Sequence, residues 1–78
     1  MKTIGIVGST GWISTLKYYR LINEEINKRL GGYNSAKCIL YSLNFADIDK
    51  IKKRDPDQKE VGLILIDAAK KLKLAGAD

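Results

Sequence analysis

The apolar positions along the chain change period several times, and each change marks an element. Thr3 to Val7 is short, β-branched and apolar on both faces (Ile4, Ile6, Val7), the pattern of a buried parallel strand. A small-residue loop, Gly8 to Trp12, follows. The period then lengthens. Leu16, Tyr19, Ile22, Ile26 and Leu30 recur at three- and four-residue steps, giving one apolar stripe on a helix that starts near Ile13 or Ser14. Lys17, Arg20, Glu24, Asn27 and Lys28 fall opposite, with Glu24 and Lys28 spaced as an i,i+4 pair. Gly31-Gly32 ends the helix, because glycine takes the left-handed position after a last turn at little cost.

A second nearly continuous apolar run, Ala36 to Leu43, predicts a second strand carrying Cys38, Ile39, Leu40 and Tyr41. Asn44 is placed to cap a short helix to about Lys53, with Asp47 near its positive end and Phe45, Ile48 and Ile51 on its buried side. Asp55-Pro56 predicts the opening of a third helix: Asp55 as cap, Pro56 at the first helical position, Asp57 and Glu60 in the first turns. Its core stripe is Val61, Ile64, Leu65, Ala68, Leu72 and Ala75, and Gly76 stops it.

The order β-α-β-α-α specifies an α/β fold with a parallel sheet in one domain, residues 1–78. Two strands joined through a helix form a parallel pair with a right-handed crossover. Parallel sheets are normally larger and covered on both faces, and Ala77-Asp78 reads as the lead-in to another element. The chain therefore reads as the N-terminal part of something larger. Strand one is expected in the centre, and an open strand edge and uncovered apolar stripes favour a homo-oligomer or association with a missing remainder.

Composition narrows the function classes. Fourteen basic and nine acidic residues give a net charge of +5. The excess is spread over Lys50, Lys52, Lys53, Arg54, Lys59, Lys70, Lys71 and Lys73 without interleaved aromatics, which reads as solvated helix faces and not a nucleic-acid surface. The absence of histidine excludes histidine-based catalysis and ligation within the chain. A lone cysteine, Cys38, permits no intramolecular disulfide and fits a reducing compartment. No signal peptide is visible and no run approaches a membrane span, so a cytoplasmic location is expected.

The candidate chemistry sits at the first strand–loop–helix junction. Such a junction presents bare backbone N–H groups and a helix N-terminus at the C-terminal edge of a parallel sheet, an arrangement that attracts phosphate or carboxylate. The hydroxyls of Ser9, Thr10, Ser14 and Thr15 lie in the same stretch. Ser14 could instead serve as a helix cap, and the others as turn formers.

The residues of this junction and beyond resemble the aspartate/glutamate racemase family. The likeness runs through Met1-Lys-Thr-Ile-Gly-Ile-Val-Gly8, Trp12, Ser14, Thr15, Tyr18-Tyr-Arg-Leu-Ile-Asn-Glu24, Arg29-Leu-Gly-Gly32, Ser35-Ala-Lys-Cys38, Tyr41-Ser42, Phe45-Ala-Asp-Ile48 and Ala75-Gly-Ala-Asp78. It covers essentially the whole chain and points to the branch whose first loop reads Gly-Gly-Met-Ser-Trp-Glu-Ser-Thr. The resemblance implies an isomerase of amino-acid metabolism with two similar α/β lobes. It implies cofactor-independent, metal-independent inversion at the α-carbon of an acidic amino acid, in which one cysteine thiolate removes the proton and a second thiol returns one. It assigns Gly8, Ser9, Thr10, Trp12, Ser14 and Thr15 to binding a substrate carboxylate. Two departures stand out. Neither of the family's Cys-Thr motifs is present, and Cys38 matches neither catalytic position, so no catalytic residue is assigned and the chain is expected to be inactive alone. The loop is also altered, with Ile13 where the family has glutamate.

Two other readings compete. Gly8-Ser-Thr-Gly11 also resembles the opening of NADP-binding α/β lobes. The third glycine of that pattern would fall at Ser14, and Ser42, Leu43 and Asn44 stand where a ribose-binding acid or a phosphate-reading arginine belongs. The third reading is a non-catalytic interaction fragment.

Overall fold

A computed structural model describes residues 1–78 and contains five elements: β1 (Ile4–Gly8), α1 (Trp12–Leu30), β2 (Cys38–Ser42), α2 (Phe45–Arg54) and α3 (Lys59–Leu74). The α/β class and the β-α-β-α-α order read from the sequence hold. The strands form a parallel pair in the register Ile4–Cys38 through Gly8–Ser42. Both ends of the ladder are tied by backbone bonds, Ile4 N to Lys37 O at 2.9 Å and Leu43 N to Gly8 O at 2.7 Å.

Alternation along β1 divides the sheet between two helices. Gly8 meets Thr15 of α1 on one face, while Gly5 meets Leu72 and Ala77 on the other. A Cβ on Gly5 would lie 3.0 Å from the Ala77 Cβ and 3.3 Å from Leu72 Cδ1, so the glycine lets α3 and the following residues close on the strand. The buried apolar core lies on this second side: Ile48 of α2, Val61, Ala68 and Leu72 of α3, and Ala77. Only 7 of 78 residues are buried, so the core is small. On the α1 side the periodicity read from the sequence is present but only partly covered: Ile22 and Ile26 are half-buried and the rest of the stripe is exposed. Leu16 is 57% exposed, Tyr19 45% and Leu30 56%.

Several boundaries differ from the sequence reading, each for a local reason. α1 starts at Trp12, ahead of Ile13 or Ser14, because Gly11 adopts φ 111° and turns the chain into the helix. Ser14 lies within the first turn and caps nothing. Glu24 pairs with Arg20 at 3.5 Å, not with Lys28. Gly31 ends the helix as expected, at φ 72°. The polar face of α1 then holds the return loop: Asn27 Nδ2 donates to Gly32 O and Asn34 O, and Asn23 Oδ1 accepts from Ala36 N. β2 is shorter than Ala36 to Leu43 because its pairing is limited to the length of β1.

Asn44 caps α2 as expected, its Oδ1 accepting from Ala46 N at 3.0 Å. Asp55-Pro56 does not open α3. A turn intervenes, closed by Gln58 N to Asp55 O at 3.0 Å, and Gln58 itself sits at φ 59° before the helix begins. Asp55 still serves the helix start, since its Oδ2 accepts from Glu60 N at 3.1 Å. Ala75, assigned to the core stripe, is exposed because α3 has already ended at Leu74.

Candidate anion-binding loop at the end of the sheet

β1 ends at Gly8, and the register puts Ser42 of β2 beside it. The Gly8–Trp12 and Leu43–Asn44 connections therefore leave the sheet at the same edge, where ligands of open α/β sheets bind. Gly8 is buried, and a Cβ there would sit 2.5 Å from Thr15 Oγ1 and 3.0 Å from Thr15 Cγ2. Only glycine allows α1 to approach the strand end this closely.

Thr15 is 4% exposed. Its Oγ1 donates to Gly11 O at 3.1 Å, and its backbone N–H donates to the same carbonyl at 3.2 Å. The hydroxyl is thus satisfied within the first turn of α1 and lies beneath the loop. The six residues assigned from the sequence consequently separate into two layers. Gly8 and Thr15 form the floor. Ser9 and Ser14 are half-buried, and Thr10 and Trp12 are exposed, with Trp12 at 70%. The upper four are within a few residues of the helix start and free of intramolecular side-chain hydrogen bonds.

The helix start supplies the polarity. No side chain caps α1 and its first turn holds no acidic residue. The backbone N–H groups of Trp12, Ile13 and Ser14 precede the first helical hydrogen bond, the one made by Thr15, so they remain open donors. The macrodipole adds positive potential there, worth about 0.3–1 kcal/mol for a nearby anion. Lys17 follows one turn later. Ile13, at the position where the resembled branch has glutamate, is 69% exposed and leaves this potential uncompensated.

Beside the loop, Trp12, Thr15, Leu16, Tyr19, Leu40 and Ser42 line a shallow groove of about 380 Å³. Its walls are mainly apolar. It adjoins the donors of the helix start, so a small molecule with a charged end and an aliphatic part meets both kinds of surface.

Two contributors lie outside the residues assigned from the sequence. Gly11 sets the entry into α1 through its positive φ. A glycine just ahead of a helix without a capping side chain is the signal for it. Ser42 joins the groove only through the register of β2 with β1, which no local pattern reveals. Cys38 stands at the opposite end of the sheet from the loop, half-buried beside Ile4 in the register. No group of three or more Cys, Asp or Glu side chains is arranged to hold a metal ion. No helix is long and apolar enough to cross a membrane.

No family model matches the chain. Among solved structures, it is similar to the "Crystal structure of a putative Asp/Glu Racemase from Yersinia pestis", with a TM-score of 0.92 and 43% identity over 99% of this chain. The match covers 33% of that protein, so the chain spans about a third of its length.

Proposed function

Taking as premise the aspartate/glutamate racemase likeness, which holds in sequence and fold over nearly the whole chain, we propose that the Gly8–Thr15 loop binds the carboxylate of a small acidic amino acid. The observation that carries this reading is the set of open N–H donors at Trp12, Ile13 and Ser14, with no acidic residue in the same turn. Ser9, Thr10 and Ser14 add hydroxyl donors, Trp12 flanks the ligand, and Gly8 with Thr15 holds the loop in place from below.

In this reading the chain binds but does not racemise. Inversion by two thiols needs a base and an acid on opposite faces of the α-carbon. Cys38 is the single cysteine and lies at the far end of β2 from the loop. A lone thiol part-buried in a strand acts as a small hydrophobe. The absence of any disulfide fits a reducing, cytoplasmic setting.

The NADP reading is less well supported. Asn44, in the region where a ribose contact is needed, already caps α2. The interaction reading draws support from the exposed stripe of α1 and is compatible with ligand binding. Calorimetric titration with aspartate, glutamate and NADP tests the proposal. Heat of binding with either dicarboxylate and none with NADP supports it, and the reverse result overturns it.

A further inference from the structure

We infer that Asn34 is a site of spontaneous deamidation, gated by the hydrogen bonds that tie the α1–β2 connection to α1, and that its products loosen this connection. The step needs only water. Ser35 N attacks Asn34 Cγ, the Cγ–Nδ2 bond breaks, and ammonia leaves with the Ser35 N–H proton. The succinimide so formed takes up water at one of its two carbonyls. Opening at Cγ gives aspartate. Opening at the main-chain carbonyl gives isoaspartate, whose link to Ser35 runs through the former side chain.

The surroundings single out Asn34. It is exposed in the irregular stretch between α1 and β2, next to the fully exposed Tyr33. The residue after it is small, and the Ser35 backbone N–H makes no hydrogen bond within the chain, so the nucleophile is free. The other asparagines lack this combination. Asn23 and Asn27 lie inside α1, where the next backbone N–H belongs to the helical ladder. Asn44 precedes the bulky Phe45, and its Oδ1 is held by Ala46 N as the cap of α2.

The same fold that frees Ser35 N restrains the groups on either side of it. Asn34 Nδ2, the leaving group, donates to Gly31 O at 2.9 Å and reaches Leu30 O at 3.5 Å. Asn27 Nδ2 donates to Asn34 O at 3.1 Å, and Asn23 Oδ1 accepts from Ala36 N at 2.8 Å. The main chain is thus pinned before and after Ser35, and ring closure waits on local opening. Once formed, the product cannot restore the closed state. A carboxylate has no proton to donate to Gly31 O, and it adds negative charge at the negative end of α1. Isoaspartate also lengthens the main chain by a methylene just ahead of Lys37, whose carbonyl accepts from Ile4 N at the start of the ladder. None of this depends on the ligand reading of the Gly8–Thr15 loop.

The test incubates the full folded chain in warm, mildly alkaline buffer and follows its tryptic peptides by mass. Leu30–Lys37 contains Asn34 and no other asparagine. It should gain about one dalton and become a substrate for an isoaspartyl carboxyl methyltransferase, while the peptides holding Asn23, Asn27 and Asn44 stay unchanged. Asn34→Gln should abolish both signals. Asn27→Leu, which releases Asn34 O, should speed the gain by about fivefold, the factor expected for one lost hydrogen bond. Asn23→Leu, which releases Ala36 N, should do the same. Circular dichroism confirms that each variant is folded during the incubation. Amide exchange at Ala36 should quicken in the deamidated chain. No gain in Leu30–Lys37, or a gain that appears equally at Asn44, overturns the inference. So does a rate left unchanged by both Asn27→Leu and Asn23→Leu in folded protein, since the gate would then be absent.

Discussion

The Thr15 hydroxyl occupies the space that a side chain on Gly8 would need: a Cβ at position 8 would lie 2.5 Å from Thr15 Oγ1. This contact fixes the height of α1 above the strand end and with it the position of the Trp12–Ser14 donors. Gly8→Ala should therefore lower stability by about 1–3 kcal/mol, the range for overpacking a closed contact. Thr15→Ala alone loses one satisfied hydroxyl and should cost about 1 kcal/mol. The double variant should be more stable than the sum of the two losses, because the clash partner has gone. Urea unfolding of the three variants measures the coupling.

How much of this junction was legible in the sequence depends on the kind of information required. The strand, the glycine loop and the helix follow from periodicity, and Asn44 capping α2 follows from residue type and position. Ser14 and Thr15 look alike as hydroxyls beside a helix start. The fold separates them, because Thr15 points back at Gly8 and Ser14 does not. Residue type and the following proline mark Asp55 as the cap of α3. It accepts from the right end of the helix, but Pro56 and Asp57 first form a turn ending at Gln58 with positive φ. A local signal for helix start cannot count the residues of an intervening turn. The α1 stripe was legible as a pattern, but periodicity names an apolar face without saying what covers it.

The exposed N-terminal part of that stripe leads to an association prediction. Trp12, Ile13, Leu16 and Tyr19 expose apolar surface along one stretch of α1, the kind of patch that drives proteins together. Sedimentation equilibrium at micromolar concentration should give an average mass above that of the monomer. Leu16→Lys should shift the distribution toward monomer without loss of helicity. A monomer with cooperative unfolding and several kcal/mol of stability would contradict this reading of the α1 face.

Cys38 supplies a chemical prediction. Incubated in deuterated water with aspartate or glutamate, the chain should catalyse no exchange at the α-carbon, and Cys38→Ser should leave that result unchanged. The substitution should also alter stability by no more than about 1 kcal/mol, since the side chain is only part-buried. Exchange that disappears in Cys38→Ser would assign the thiol a catalytic role.

The face of α3 has a pH signature. Lys71 Nζ lies 2.9 Å from Asp67 Oδ2 and 3.4 Å from the Tyr41 hydroxyl. The hydrogen bond to Asp67, then that to Tyr41, raises the Lys71 pKa above its ordinary 10.5. A base with a raised folded pKa stabilises the fold fully below its unfolded value and loses that contribution as pH rises through the folded one. The contribution is therefore present at neutral pH and is lost above pH 10.5. It is small, because the pair is exposed and screened. Lys71→Met should change the neutral urea midpoint little and make its alkaline decline shallower. An identical alkaline decline in the two proteins would show that Lys71 is not responsible.

The most direct test of the central claim is residue-resolved amide NMR during parallel titrations with aspartate and NADP. Carboxylate binding at the start of α1 predicts saturable shifts at Ser9, Thr10, Trp12, Ile13 and Ser14, with a Kd on the order of 1 mM for so open a site. Gly8 and Thr15 should follow through the floor contact, and Cys38 should stay still. Shifts at the loop with NADP, and none there with aspartate or glutamate, would contradict the account.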